Sequence, residues 1–459
     1  MRLVLLSGGS GKRLWPLSND SRSKQFLRVL ENEKKEKVSM VQRVWGQLKD
    51  VSLADYSLVA TSKSQVDMIK SQLGDSADLI IEPSRRDTFP AIALAASYLF
   101  SVKNIDLEEV ITVLPVDPFV ENRFFVKVKE LEEVVKKSDA DIALIGVVPT
   151  YPSSKYGYIV PKKSDSFEAF SYVNRFTEKP SEEEAEKLIN EGALWNCGVF
   201  SFKLGYIINI LKELGHGVEY NDLLDHYDQL PKISFDYEVV EKTEKIATLT
   251  YDGYWKDLGT WNTLTEEMAS NHIGIGKLSD NCTNTHLINE LDIPVTVLGI
   301  SNAVIAASPD GILISNKEDS PKIKEIVSDF ENRPMYEEKR WGWYKVLDHI
   351  KFDSGNEVLT KKIGIKAGRN LSYQYHNKRN EVWTIIKGEG VFALNGNMKV
   401  ITTGDVIQIN SLDYHAIKAI TDIELIEVQN GTELTEEDVV RVLLNWNDIE
   451  EECYQLNKN

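Results

Sequence analysis

Cysteine is scarce in this chain. The three present, Cys197, Cys282 and Cys453, are an odd number, widely spaced and without a CxxC pair. That excludes a disulfide framework or a zinc knuckle and fits a reducing, cytoplasmic setting. Positive charge is in deficit: 53 Lys and Arg against 71 Asp and Glu leave a formal net charge of -18. Broad attraction to nucleic acid or to an anionic membrane is thereby excluded, so a phosphate ligand must be held by a local cluster of cations and backbone N–H groups. Long apolar runs are missing as well. None approaches the roughly 20 residues of a membrane span, and the run from Met1 to Ser7 ends at Gly8, short of a secretory signal. The expectation is a cytoplasmic protein of two or three domains with no nucleic-acid or membrane partner.

What is present is alternation. From residue 1 to about 270, short β-branched or leucine-rich runs such as "RLVLL", "DLIIE", "VITVLP" and "DIALIGV" alternate with amphipathic stretches. One of these opens with a capping box at Ser39–Gln42, and "PAIALAASYLF" reads as a helix with Pro90 near its first turn. The pattern predicts an α/β fold with a doubly wound, mostly parallel sheet, whose ligands sit at the carboxyl ends of the strands. "GGSG", "EPSRRDT" and "LPVDP" all fall there. Residues 271–334 read as a β-rich connector and a charged, helix-like linker. From 335 to 441 the pattern is all β, with Asn395-Gly396 marking a type I′ hairpin inside a small barrel or jelly roll. Residues 442–459 read as an acidic tail.

Two glycine motifs can be set aside by spacing. In "LLSGGSGKRLWPLSNDSRSKQF", residues 5–26, a Walker loop would need glycine at Leu6 and Ser or Thr at Arg13, and a dinucleotide fingerprint would need glycine at Leu14. What remains is a strand, a tight glycine turn and basic residues: a phosphate cradle, or a strand-to-helix turn with solvated cations.

The stretch resembles the signature GGxGxRLWPLSxxxxPKQF of sugar-nucleotide pyrophosphorylases, and its Trp-Pro-Leu-Ser form is similar to mannose-1-phosphate guanylyltransferases. "EPSRRDTFPAIALAA", "LPVDP", "YGYIV", "RFTEKP", "WNCGVFSF", "FDYEVVEKT" and "YWKDLGTW" follow in family order, covering nearly all of residues 1–265. The resemblance implies a Rossmann-like nucleotidyltransferase domain over residues 1–270 that joins GTP and mannose 1-phosphate with Mg²⁺. It further implies that Gly8, Gly9, Gly11, Arg13 and Lys24 hold the nucleotide and its phosphates, and that Asp117 and Asp257 hold the metal. Lys179 would reach the sugar phosphate, Glu178 the sugar hydroxyls, and Gly157 and Asn196 would line the sugar site. For Glu178-Lys179 the plain alternative is an exposed ion pair in a turn. Trp195 and Trp255 are expected in the core. Three letters depart from the family: Ser23 replaces Pro, Pro118 follows Asp117 in place of His, and Asp87 stands for Asn.

Residues 365–383, "IKAGRNLSYQYHNKRNEVW", resemble the cupin domain of bifunctional relatives that also interconvert mannose 6-phosphate and fructose 6-phosphate. By that resemblance Gln374, His376, Glu381 and His415 hold a divalent transition metal such as Zn²⁺. Against it, Lys378 sits where the HxH form has its second histidine. The other expectation for the barrel is a non-catalytic binding or homo-oligomerisation module. Likewise the N-terminal part has two rivals to guanylyl transfer: the same chemistry on another sugar or base, and a non-catalytic sugar-nucleotide sensor.

Overall fold

The computed structural model describes residues 1–9, 11–75, 77–162, 169–330 and 333–456. Ser10 of the glycine loop lies outside them.

The first strand, Arg2–Ser7, is buried on both faces: Leu3 and Leu5 pack with Trp45, Phe124 and Phe125, while Val4 packs with Phe89, Phe202 and Phe235. Such a strand needs an unbroken apolar run, which is why "RLVLL" shows no polar alternation. Nine strands form the sheet, in the order Asp78–Glu82, Ser57–Ser62, Arg2–Ser7, Val110–Pro115, Leu194–Lys203, Ile142–Val147, Ile246–Tyr251, Ser171–Thr177 and Tyr158–Pro161. Seven run in one direction; only Leu194–Lys203 and Ser171–Thr177 are reversed. Helices such as Met40–Asp50, Thr88–Ser97 and Asn122–Lys137 cover the two faces. The Ser39 capping box forms, its hydroxyl accepting from the Gln42 N–H at 3.2 Å. No helix among the described residues is long and apolar enough to cross a membrane.

The connector is a layer built onto the glycine loop. Short strands His272–Ile273, His286–Asn289 and Ala303–Ser308 stack in parallel, and Gly311–Asn316 closes the sheet in antiparallel fashion. Ile288, Val304, Ile323 and Val327 share one core with Leu14, Leu17 and Trp261. Ser308 Oγ donates to the Pro16 carbonyl at 2.7 Å, and Arg22 grips Glu290 through two contacts of 2.7 and 2.9 Å.

The C-terminal part is a jelly roll of two antiparallel sheets, six- and five-stranded, around Trp383, Phe392, Ile409 and Leu425. Asn395 and Gly396 join Leu394 to Asn397 with φ of 48° and 81°, the positive pair that a type I′ turn requires. The end of the chain corrects one expectation. Instead of an acidic tail from residue 442, a strand runs over Val439–Leu443 and a helix over Trp446–Leu456. The helix is acidic on its outer face, but Trp446, Ile449 and Cys453 recur at helical spacing and pack on Tyr373, Ala393 and Ala416. Burying a side chain such as Ile449 stabilises by about 2 kcal/mol, and three such residues dock this segment on the barrel despite its charge.

Candidate active site

The first strand delivers Gly8 and Gly9 to the carboxyl edge of the sheet, and Gly11–Leu14 follows as a short 3-10 turn. Gly11 has to be glycine: a Cβ there would collide with the Asn19 carbonyl and the Ser23 backbone. Ser23 is fully buried; its Oγ donates to the Gly9 carbonyl at 2.8 Å and accepts from Gln65 Nε2 at 2.7 Å. Below the loop lies a cleft of about 700 Å³ lined by Gly8, Gly9, Gly11, Arg13, Lys24 and Asp117.

Asp117 ends the run after Val110–Pro115, and Asp257 ends Trp255–Asp257. The two meet because Pro118–Val120 pairs antiparallel with Trp255–Asp257, putting Asp257 opposite Pro118. Lys24 Nζ lies between their carboxylates, 2.8 Å from Asp117 and 3.1 Å from Asp257. Burial disfavours its charge, yet the two aspartates outweigh that and raise its pKa above the ordinary lysine range. Two hard carboxylates already flanking a cation are a donor set that suits Mg²⁺.

A second cavity, about 180 Å³, adjoins the first, and Pro115 and Asp117 line both. Asn196, Tyr156, Trp255 and Asp257 complete its wall. Asn196 Nδ2 donates to Asp236 Oδ1 at 2.6 Å, and its N–H donates to the Gly157 carbonyl at 2.8 Å. A Cβ on Gly157 would strike the Glu178 carboxylate and the Phe176 ring. The Glu178 side chain is 7% exposed, and among the described residues its buried Oε2 has no hydrogen-bond partner, while Oε1 meets Lys179 Nζ at 3.0 Å. Burial, reinforced by the negative charge of Asp236, pushes the Glu178 carboxyl up, and burial pushes Asp236 up too. The turn pair is therefore present, but its carboxylate end is held away from solvent. Lys179 is half exposed and takes a left-handed backbone, φ 47°, which a lysine rarely adopts. Neither it nor Glu178 lines the second cavity.

Sequence reasoning missed several of these groups. Trp255, expected in the core, faces the second cavity, whereas Trp195 is buried as expected. Asp236 lies inside "FDYEVVEKT" but becomes visible only through its bond to Asn196. Glu82, Lys232 and Lys324 also line the larger cleft. Asp87 caps the helix Thr88–Ser97, its Oδ1 accepting from the Thr88 N–H at 2.8 Å, with a backbone at φ 71° and ψ -172° that side-chain-bearing residues seldom adopt.

In the jelly roll His376, Glu381 and His415 are all buried, with ligand atoms within 4.8 Å of one another. Each imidazole turns Nδ1 to a backbone carbonyl, His376 to Asp438 at 3.3 Å and His415 to Asp413 at 3.0 Å. With the proton placed on Nδ1, the Nε2 atoms face Glu381 at 3.2 and 3.8 Å, and that of His376 also meets Arg379 Nη2 at 3.5 Å. Burial holds the His376 pKa down at about 4 and lowers that of His415 as well, so both are neutral near pH 7. Arg379 donates to Glu381 Oε1 from Nε at 2.9 Å. His415 Nε2 is buried without a hydrogen-bond partner, an orphan that a metal would satisfy. Gln374, the fourth expected ligand, instead accepts from Ser372 Oγ at 2.7 Å through Oε1. Lys378 is turned outward and paired with Glu433, so it does not enter the cluster.

The family model of nucleotidyl transferases matches residues 2–272. The chain belongs to that family. This nucleotidyl transferase also carries a match to the mannose-6-phosphate isomerase C-terminal domain over residues 331–443. It is 30% identical to a Vibrio cholerae protein named, provisionally, as a mannose-1-phosphate guanylyltransferase, with 95% of this chain and 98% of that one covered. It is 29% identical to mannose-1-phosphate guanylyltransferase 2 of Escherichia coli O157:H7, covering 95% and 96%. Among solved structures, one described as a mannose-1-phosphate geranyltransferase from Thermus thermophilus superposes with a TM-score of 0.60 at 26% identity, covering 72% of this chain and 99% of the other.

Proposed function

We propose that the chain makes GDP-mannose and pyrophosphate from GTP and mannose 1-phosphate. The observation that carries this is the shared wall: Asp117 lines both cavities, with Lys24 and Asp257 at its side. A phosphorus at that junction can meet a nucleophile from the smaller cavity and lose its leaving group into the larger one. The nucleophile is a phosphate oxygen of the sugar 1-phosphate, already an anion, so no general base is required. A new O–Pα bond forms as the bond from Pα to the bridging oxygen of the β-phosphate breaks. What the reaction lacks is alignment and neutralisation of two polyanions. Lys24 and Arg13 provide cations, and the Gly8–Gly9 backbone lets the nucleotide approach closely. Asn196, anchored by Asp236, orients the sugar from the cavity wall, with Glu178 and Lys179 beside the cavity for its hydroxyls and phosphate. Mg²⁺, held by Asp117 and Asp257, supplies further neutralisation at the phosphate oxygens when bound. Glu82, a buried carboxylate at the larger cleft, matches the paired donors on the edge of guanine. The measurement is pyrophosphate release over a matrix of nucleoside triphosphates and sugar 1-phosphates. Turnover with GTP and mannose 1-phosphate above every other pair is expected; no turnover with any pair would end the reading.

The orphaned His415 Nε2 favours a second activity in the barrel, interconversion of mannose 6-phosphate and fructose 6-phosphate. His376, Glu381 and His415 would hold a divalent transition metal such as Zn²⁺, which polarises a sugar carbonyl when bound. Metal analysis together with a coupled isomerase assay tests it.

A further inference from the structure

Three cations in the nucleotide cleft have no acidic partner. Among the described residues Arg13, Lys232 and Lys324 line it without an ion pair, whereas Lys24 is shared by Asp117 and Asp257, and Arg85 holds Asp20 at 2.9 Å. In a chain of net charge -18, acidic neighbours are plentiful. Like charges gathered around one cleft repel until an anion arrives.

Lys324 is the unexpected member, because it comes from the connector. Ile323 and Val327 are buried in the core that contains Leu14 and Leu17, and Lys324, next to Ile323, stays exposed. The same segment is pinned to the loop at two further points. Lys12 Nζ donates to the Ser328 carbonyl at 3.4 Å, and the Trp15 ring meets Phe330 edge-on at 5.5 Å. The connector is therefore attached to the turn that bears Arg13.

The junction of the two cavities fixes which phosphates are left for Lys324. Asp117 lines both cavities, so the reacting α-phosphorus belongs beside it, while Arg13 and Lys324 line the larger cavity alone. We propose that Lys324 binds the β- and γ-phosphates that depart as pyrophosphate, which makes the connector part of the catalytic unit. The proposal rests on the nucleotidyl-transfer reading of the cleft.

The test uses the full chain with Lys324→Gln, Lys324→Glu and Lys324→Arg, and inorganic tripolyphosphate as a base-free probe in calorimetry. K324Q is expected to weaken tripolyphosphate about tenfold, the scale of one charge-assisted contact, and K324E more than that, while K324R binds close to wild type. The KM for pyrophosphate in the reverse reaction rises in parallel, with the KM for mannose 1-phosphate and the melting temperature unchanged. Wild-type binding by K324Q and K324E would overturn the proposal, as would K324R being as impaired as K324Q, since the loss would then be one of packing. A wild-type protein that binds tripolyphosphate through Lys324 yet turns over no substrate pair would sink the transferase reading, and with it the role in pyrophosphate departure, and leave Lys324 as a polyphosphate-binding residue only.

Discussion

Ser23 Oγ donates to the Gly9 carbonyl at 2.8 Å, tying the residue before Lys24 to the tip of the glycine loop. Gln65 reinforces the tie from below through the Ser23 hydroxyl. The family's proline cannot make this bond, so the substitution replaces a stiff backbone with a side-chain latch. Ser23 keeps φ at -68° and ψ at 164°, a conformation that proline also adopts. Ser23→Ala is therefore expected to cost about 1–2 kcal/mol, because buried Gln65 loses a partner, and to raise the KM for GTP. Ser23→Pro should recover about 0.4–1 kcal/mol of that through a less flexible unfolded chain, without restoring KM. Denaturant melts and initial rates decide; a Ser23→Ala protein with unchanged stability and KM would remove the latch.

Asp117 and Asp257 are brought together by one short antiparallel pairing and share Lys24. Asp117→Asn keeps the shape and removes one charge. Its kcat is expected to fall about 10²–10³-fold, the usual effect of losing one group that stabilises charge in a transition state, and more Mg²⁺ should be needed for half-maximal rate. Pyrophosphate release against a Mg²⁺ titration checks both. A wild-type rate at saturating Mg²⁺ would place the reacting phosphate elsewhere.

Much of this was legible because it depends on near neighbours in sequence. The both-face burial of Leu3, Val4 and Leu5, the Ser39–Gln42 box and the Asn395-Gly396 turn follow from periodicity and backbone preference over a few residues. The glycine loop was legible for the same reason. Asp236 and Lys324 were not, since each acquires meaning only from a partner many residues away: Asp236 from Asn196, Lys324 from the turn at Arg13. The helix Trp446–Leu456 was hidden by composition, its acids masking three apolar residues at helical spacing. Lys378, which stands where a ligand histidine was expected and so counted against the metal site, lies in the turn between the strands Tyr373–His376 and Arg379–Lys387 and points to solvent and Glu433.

Glu178 carries a pH signature. Burial and Asp236 raise its folded pKa above the unfolded value of about 4.3. A carboxyl shifted upward binds more protons in the folded state, so its contribution to stability is fully present below the unfolded pKa and is lost as pH rises through the folded one. Glu178→Gln has no charge to bury. Its melting temperature relative to wild type is expected to climb as the pH rises from about 4.3 through the folded pKa, while the KM for mannose 1-phosphate rises at neutral pH. Parallel melting curves across that range would show that Glu178 is not under this strain.

Two metals on one chain should be separable, because their donors differ. Asp117 and Asp257 offer only oxygen, which holds Mg²⁺ loosely and exchangeably, whereas two imidazoles and a carboxylate suit a tightly held transition metal. Dialysis against a chelator followed by Mg²⁺ is expected to restore pyrophosphate release in full, while the isomerase activity proposed for the barrel stays absent until Zn²⁺ or a similar ion is returned. His415→Ala should lower bound transition metal from about one per chain towards zero, as expected on losing one of three ligands, with pyrophosphate release unaffected. Glu381→Gln should lose the metal too and also destabilise the barrel by about 3–5 kcal/mol, because it strands the buried Arg379 guanidinium without its carboxylate. The contrast between the variants is the informative result: equal stability would mean that Arg379 finds another partner. Full isomerase turnover by metal-free protein would show that the chemistry of the barrel does not depend on this cluster.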